Sequence, residues 1–342
     1  MFIPDQFVGS LEVAQTPDKT TAPYNLNFYV GILRGLSARQ KGISSKYFYD
    51  AQGDRIFQQI MACEEYYPFK CELEIFQNHS ADLARQLMGD GSDTDLIELG
   101  AGDGQKSVYL LQALSRLQAC YTYVPIDISG SIVSYLTGHL GSMVPDIRVS
   151  GLVGEYLPML QEASRRSTNR KTVIMLGSNL GNMLPVDALK FCESIRALLN
   201  AGDRFMVGID LKKSPQQVLA AYNDKQGITR RFNLNLLTRL NRELNADFNL
   251  GQFEHFPTYD PQSGSCKSYL ISLQEQVVRF RLQDRTDCIY FQKYETIFTE
   301  ISQKYSLAEL EKMARMAGFE VIQNYYDANG WFVDMVWEAK QA

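Results

Sequence analysis

The segment Asp95-Leu96-Ile97-Glu98-Leu99-Gly100-Ala101-Gly102-Asp103-Gly104 constrains the fold more than any other stretch of this chain. A short apolar run carries an acid near its end and then meets three glycines within five residues. That pattern predicts a buried strand breaking into a tight, glycine-rich turn. Glycines in such a turn adopt positive φ and let a ligand approach the backbone closely. The next apolar run, Tyr121 to Ile126, also ends in an acid, Asp127. The pair of elements reads as the nucleoside-binding edge of a doubly wound sheet. Its turn is Gly-x-Gly-x-Gly rather than the Gly-x-Gly-x-x-Gly of dinucleotide enzymes, which favours S-adenosylmethionine over NAD.

Alternation continues along the chain. Helices are expected over 54–63, 72–88 and 105–117, and strands over 94–99 and 121–126. Ser129 is placed to cap a helix running through Leu140. Further strands are expected over 147–152, 172–177 and 203–209, with a helix from Pro185 to about Leu199, proline suiting a first turn. Strands and helices at this spacing predict a parallel sheet covered on both faces. After Asp210 the rhythm changes: a polar helical stretch over 215–245, two strands around the Tyr-Asp-Pro-Gln-Ser-Gly turn, and an alternating strand over 276–282. A helix over 307–317, stopped by Gly318, precedes a terminal strand pair, 319–325 and 331–337. Residues 210–300 therefore read as an insertion, and the first 25 residues as a loose surface segment.

Composition narrows the function classes. A formal net charge of −5 and no basic patch interleaved with aromatics argue against a nucleic-acid partner. The six cysteines form no Cys-x-x-Cys pair and there are three histidines, so no metal site is expected. No apolar span suggests a membrane helix and no leader pattern suggests secretion, which predicts a cytoplasmic chain. With no heptad pattern, a monomer is expected. Nineteen tyrosines against two tryptophans suit a polar ligand held among rings that also offer hydroxyls.

Several separated motifs carry a resemblance. They are Lys46-Tyr47-Phe48-Tyr49-Asp50, Glu65-Tyr66-Tyr67-Pro68, Leu96 to Gly100, Tyr123 to Asp127, Leu176-Gly177-Ser178-Asn179-Leu180-Gly181-Asn182, Ala221-Tyr222-Asn223-Asp224 and Thr299-Glu300-Ile301-Ser302-x-Lys304-Tyr305. In this order they make the chain, from about residue 30 to its end, similar to the histidine-specific Nα-methyltransferases of ergothioneine biosynthesis. The resemblance implies an α/β fold: a doubly wound class I methyltransferase sheet with a second, α+β substrate-binding domain. It implies an N-terminal part of the substrate domain over 1–72, a cofactor domain over 73–210, an inserted part of the substrate domain over 211–298, and a C-terminal completion of the sheet over 299–342. The implied reaction is three in-line methyl transfers from S-adenosyl-L-methionine to the α-amine of L-histidine, giving hercynine.

The same resemblance implies the site. Gly100, Gly102 and Gly104 would surround the amino-acid end of the cofactor, Lys106 would pair with its carboxylate, and Asp127 would accept the ribose hydroxyls. Glu155 and Tyr156 would flank adenine, where the family more usually has Asp-Phe, and Gly177 would pass under the reacting centre. Tyr49, Asn182 and Tyr222 would hold the amine and carboxylate of the substrate. Glu300 and Ser302, two apart on an extended segment and so on one side, would hold the imidazole, with Tyr66 reaching the ring or a bridging water.

Methyl transfer at a sulfonium carbon needs a free amine lone pair, alignment and exclusion of water, and alignment alone can supply about 7–11 kcal/mol. An α-amine with pKa about 8 must lose a proton first. Two positions depart from the family. Asn179 stands where threonine is common, and Ser268 where a methionine lies near the ring pocket. They leave open Nα-methylation of a different aromatic amino acid or related amine. A non-catalytic cofactor-binding protein is the remaining reading.

Overall fold

The computed structural model describes residues 26–89, 91–282 and 285–341, so the expectation for the first 25 residues lies outside the described residues. In chain order its helices begin with α1 (Leu26–Leu36), α2 (Ala51–Ala62), α3 (Tyr67–Met88), α4 (Ser107–Arg116) and α5 (Gly130–Met143). They continue with α6 (Tyr156–Arg166), α7 (Pro185–Ala197), α8 (Pro215–Tyr222), α9 (Ile228–Leu244) and α10 (Leu307–Met316). The first six strands are β1 (Thr94–Leu99), β2 (Tyr121–Asp127), β3 (Arg148–Val149), β4 (Leu152–Val153), β5 (Arg170–Met175) and β6 (Arg204–Asp210). The rest are β7 (Phe253–Asp260), β8 (Ser265–Ser272), β9 (Gln276–Leu282), β10 (Arg285–Phe291), β11 (Thr296–Gln303), β12 (Phe319–Tyr326) and β13 (Phe332–Ala339).

β1 is buried along its whole length, as an apolar run without alternation requires of a strand covered on both faces. It lies parallel to β2 on one side and to β5 on the other. The sheet order is β12-β13-β6-β5-β1-β2-β3, with β4 beside the end of β2. β13 runs antiparallel to both β6 and β12, so the sheet is mixed: the fold is a class I S-adenosylmethionine-dependent methyltransferase fold. Alternate residues of β1 feed opposite layers. Leu96 packs with Phe76 and Leu83 of α3 and Leu110 of α4 on one face. Ile97 and Leu99 pack with Leu160 of α6, Ile195 of α7 and Leu310 of α10 on the other. Trp337 of β13 is fully buried there, its ring centre 5.6 Å from that of Phe205 and 5.8 Å from that of Phe319.

A third core lies apart from these two. It gathers Phe28 and Ile32 of α1, Ile56 of α2, Phe232 and Leu240 of α9, and Phe253, Phe280, Phe291 and Ile297 from β7, β9, β10 and β11. The strands here form two small antiparallel sheets, β7-β8-β11 and β9-β10. Residues from the start of the described chain and from the segment after Asp210 thus share one interior.

Local chemistry fixes many of the ends. Ser129 Oγ accepts from Ile132 N at the start of α5, as expected. Ser306 and Glu309 form a capping box at the start of α10. The structure also departs from expectation. α3 begins at Tyr67, because Pro68 suits a first turn and so carries the helix across the expected boundary at 72/73. The single strand expected over 147–152 is two short ones, parted at Gly151, where a Cβ would overlap Val133 Cγ1. β10 was not anticipated; only its last residues are apolar. β11 runs through the expected boundary at 298/299. Among the described residues no helix is long and apolar enough to cross a membrane.

Beside the sheet's middle, two acidic side chains face Gly208 of β6. A Cβ there would overlap Glu72 Oε1 and come within 2.8 Å of Asp334 Oδ1. Both carboxyl groups are fully buried and cannot swing into water. Gly208→Ala is therefore expected to destabilise the fold by about 1–3 kcal/mol through overpacking, read as a lower denaturant midpoint at unchanged slope; a midpoint within error of the wild type would contradict this packing.

Candidate active site

The carboxyl ends of β1, β2 and β5 open onto one crevice, the place where an open α/β sheet binds ligands. Gly100, Gly102 and Gly104 have φ of +75°, +54° and +73°, and Gly177 after β5 has +72°. A Cβ on Gly100 would lie 2.8 Å from Tyr156 Oη and 3.1 Å from Asn179 Nδ2, whereas one on Gly102 would meet nothing within 4 Å. The turn is thus packed beneath Gly100 and open above Gly102. Glu98 anchors it from below: fully buried, it accepts from Ser107 Oγ at 2.7 Å and Tyr123 Oη at 2.6 Å. Burial pushes its carboxyl up to about 7, against the pull of those two hydrogen bonds.

Asp127 stands at the end of β2 with its carboxylate held by backbone. Oδ2 accepts from Gly102 N at 3.2 Å and Oδ1 from Ser129 N at 2.9 Å. Tyr156 is half-buried, its ring centre 6.2 Å from that of Phe191. Glu155 is exposed and lies 3.6 Å from Lys46, a surface contact of little energetic weight. Lys106 differs from expectation: its ammonium turns inward onto Glu72, which also accepts from Gly177 N at 2.9 Å. A buried carboxylate claims the lysine, leaving it 3.6 Å from where a Cβ of Gly177 would be. The positive-φ glycines after β1 and β5 and a fixed carboxylate at the end of the neighbouring β2 fit a nucleoside joined to an amino-acid tail.

A cavity adjoins this crevice. Tyr49, Tyr66, Asn179, Asn182, Tyr222, Glu300 and Ser302 all line it, together with Gly177, so the structure brings these expected residues together from five separate segments. Each segment has a local reason for its shape. Asn179 and Asn182 bracket a single 3-10 turn after β5. Ser178 enters it with φ +58°, an uncommon conformation for a residue with a Cβ, and its hydroxyl accepts from Asp210 N at 3.2 Å. Gly181 lets the turn lie against β11; a Cβ would come within 2.8 Å of Gln303 O. Tyr222 ends α8, and its Oη is 2.6 Å from Ser302 Oγ. Tyr66 precedes α3, its ring edge-on to Tyr222 at 6.3 Å.

Electrostatics mark the inner wall. Glu300 is pushed up to about 7 by burial, with the Lys304 ammonium drawing it back down. Tyr222 and Tyr66 are held well above the ordinary phenol range, burial being the largest cause for both. Tyr49 keeps 39% of its surface exposed at the mouth, yet desolvation of its hydroxyl end followed by the Glu300 charge raises it similarly. A phenol so raised is an O–H donor at neutral pH, not a base.

Ser268 is not among the residues that line the cavity. It is buried opposite Glu300 in the β8–β11 register, but its hydroxyl lies 3.3 Å from His255 Nε2. Paired residues of adjacent strands share a face, so Ser268 lies on the same side of the small sheet as Glu300. Other residues were missed by sequence reasoning. Phe57 and Phe232 supply the apolar wall, with Tyr49 edge-on to both at 5.8 and 6.1 Å. Lys304, fully buried, reaches Asp210 Oδ2 at 2.6 Å, Ser302 Oγ at 2.7 Å and Tyr222 Oη at 2.8 Å. The period of two that pairs Glu300 with Ser302 also predicts the placement of Lys304.

Comparison with known proteins agrees with this arrangement. A family model described as histidine-specific methyltransferase, SAM-dependent, matches residues 28–339. The chain is 31% identical to a histidine N-alpha-methyltransferase of Mycolicibacterium smegmatis, covering 87% of this chain and 90% of that one. It is 26% identical to ergothioneine biosynthesis protein 1 of Neurospora crassa, covering 86% of this chain and 33% of that longer one. It is 25% identical to a 4-dimethylallyltryptophan N-methyltransferase of Trichophyton verrucosum, over 63% of this chain and 65% of that one. With a family model spanning nearly all the described residues, a glycine-lined crevice and a cavity beside it lined by tyrosines, asparagines and Glu300, this chain belongs to the histidine-specific, S-adenosylmethionine-dependent methyltransferase family.

Proposed function

We propose that this protein methylates the α-amine of L-histidine and does so three times, forming hercynine. The observation that carries the reading is the single cavity lined by Tyr49, Asn182, Glu300 and Ser302 together with Gly177 of the cofactor crevice. S-adenosylmethionine, when bound, supplies an electrophilic methyl group. Gly100, Gly102, Gly104, Gly177 and Asp127 fit its amino-acid tail and ribose, with Lys106 available to its carboxylate if released from Glu72; Tyr156 fits the adenine side. Asn182 offers an NH2 to the substrate carboxylate and a carbonyl to the amine. Tyr49 orients the amine and, being held protonated, leaves proton removal to solvent at the cavity mouth. Glu300 and Ser302 take the two ring nitrogens, and Phe57 and Phe232 keep water from the ring.

In this reading the third core is the second, substrate-binding unit, assembled from the segment before α3 and the segment between β6 and α10. The six thiols, none in a disulfide, suit a reducing compartment. A second reading, methylation of a larger aromatic amino acid, is favoured by the aromatic wall and by the relative named for dimethylallyltryptophan. Glu300 weighs against a ring without a donor, such as phenyl, which would leave its carboxyl group unpaired, whereas an indole N–H would satisfy it.

Mass-resolved turnover with S-adenosylmethionine and the twenty amino acids tests the reading. Histidine gaining three methyl groups is expected; another amino acid turned over in its place would contradict it. Asp127→Ala is expected to weaken cofactor binding by at least about tenfold, and Asn182→Ala to raise the histidine KM while cofactor affinity holds. Glu300→Gln separates stability from function. A carboxyl group whose pKa rises on folding favours the folded state only while protonated, so its penalty develops as pH climbs from the unfolded value, 4.5, to about 7. The variant is therefore expected to gain up to about 3 kcal/mol of stability at pH 8 and nothing at pH 4. Over the same range it loses histidine turnover. A variant less stable than the wild type at pH 8 would contradict the burial assigned to Glu300.

A further inference from the structure

The corner of the cavity made by Tyr222 and Ser302 has a hydrogen-bond inventory that dictates what a ligand must present there. Lys304 Nζ has three N–H donors and no acceptor. Its three partners are Asp210 Oδ2 at 2.6 Å, Ser302 Oγ at 2.7 Å and Tyr222 Oη at 2.8 Å, so every donor is used within the protein. The ammonium is fully buried and cannot move aside. Asp210, equally buried, is held in place by Tyr67 Oη at 2.8 Å and by Lys213.

Both hydroxyl oxygens therefore already accept a proton from Lys304. They also lie 2.6 Å from each other, a separation that needs one hydroxyl proton between them. Two hydroxyl groups carry two protons. One fills the contact between the oxygens, and Lys304 leaves the other no acceptor within the cluster. That second proton points into the cavity that Tyr222 and Ser302 both line. Reversing which hydroxyl donates to which changes the atom that points outward but not the count.

We infer that Lys304 is a positioning residue that sets the polarity of this corner, turning Tyr222 and Ser302 into a single outward donor, so that the site selects a neutral imidazole in one tautomer, its lone-pair nitrogen on that hydroxyl and its N–H on Glu300. The inference rests on the reading of Glu300 and Ser302 as ring contacts. It explains rejection as well as acceptance. An imidazolium brings N–H groups to both ends and sets one against the outward hydroxyl. An indole satisfies Glu300 but leaves the hydroxyl facing carbon, and a phenyl ring leaves both groups unpaired. An unpaired buried donor or carboxylate is the costly outcome in each case.

Nitrogen NMR of histidine labelled with 15N at both ring positions, bound to the wild-type protein with S-adenosylhomocysteine, reads the tautomer directly. One pyrrole-like and one pyridine-like nitrogen are expected. Two protonated nitrogens, or two averaged by tautomer exchange, would overturn the inference while leaving histidine as the substrate. Failure of histidine to bind at all would overturn the functional reading and this inference with it. Lys304→Met supplies the causal arm. It is expected to weaken histidine binding about tenfold, with S-adenosylhomocysteine affinity within about twofold of the wild type. In a Tyr222→Phe/Ser302→Ala background the same substitution should cost less than about threefold, because the groups it acts through are gone. An undiminished effect in that background would overturn the positioning role, and the wild-type spectrum decides the tautomer even if the variant fails to fold.

Discussion

The buried ion pair between Asp210 and Lys304 is the interaction on which the rest of the site depends. Asp210 is the last residue of β6, where the chain leaves the main sheet, and Lys304 follows β11, where it returns. Backbone bonds run alongside: Tyr305 N donates to Asp210 O at 3.3 Å and Lys212 N to Tyr305 O at 2.9 Å. The long excursion through α8, α9 and five strands is thus closed at its base by a contact with no access to water. Removing one partner of such a pair strands a charge in the interior, which costs far more than the pair itself contributes. The same lysine reaches Tyr222, on the outgoing limb of the excursion, and Ser302, on the returning one. The geometry of the cavity wall and the closure of the insertion are therefore one structural fact.

Charge balance extends outward from that pair. Two buried ammonium groups, Lys213 and Lys304, surround one carboxylate, Asp210, and Glu300 lies beyond them on the cavity wall. Burial drives Glu300 toward its neutral form and Lys304 opposes it, leaving a group that titrates near 7. Such a poised carboxyl group destabilises the fold at neutral pH, which is the usual compromise at a binding site. On the cofactor side the pattern repeats with opposite sign. Glu72 is buried between Lys106 and Gly177 N, beside Asp334, whose carboxyl is raised well above its usual range by burial first and by Glu72 second. One acidic cluster underlies the crevice and one basic cluster underlies the cavity.

Much of this was legible in the sequence, and the reasons for the remainder are physical. β1 and its glycine turn were placed to the residue, because an uninterrupted apolar run followed by closely spaced glycines has few alternatives. The Ser129 cap and the Pro185 start depend only on local chemistry and were also legible. β10 was not, since Arg285, Thr286 and Asp287 lie at an edge of a small sheet where polar residues are tolerated. For Ser268 a period of two gives the face, shared with Glu300, but not the neighbour that meets its hydroxyl there, His255. Lys304 went unread because a lysine on a polar segment is ordinarily solvated, and its burial depends on Asp210, some ninety residues earlier in the chain. Lys106 was expected to face the cofactor, but its partner Glu72 belongs to α3 and no local pattern announces it.

The central claim is that the cavity beside Gly177 holds histidine with its ring against Glu300 and Ser302 and its amine toward the cofactor crevice. A crystal structure of the complex with S-adenosylhomocysteine and L-histidine tests it most directly. The expected result is density for the imidazole between Glu300 and the Tyr222–Ser302 pair, with the α-amine at Asn182 and Tyr49 and facing the sulfur. Histidine bound outside this cavity, or bound within it with the ring toward Asn182 and the amine at Glu300, would contradict the account.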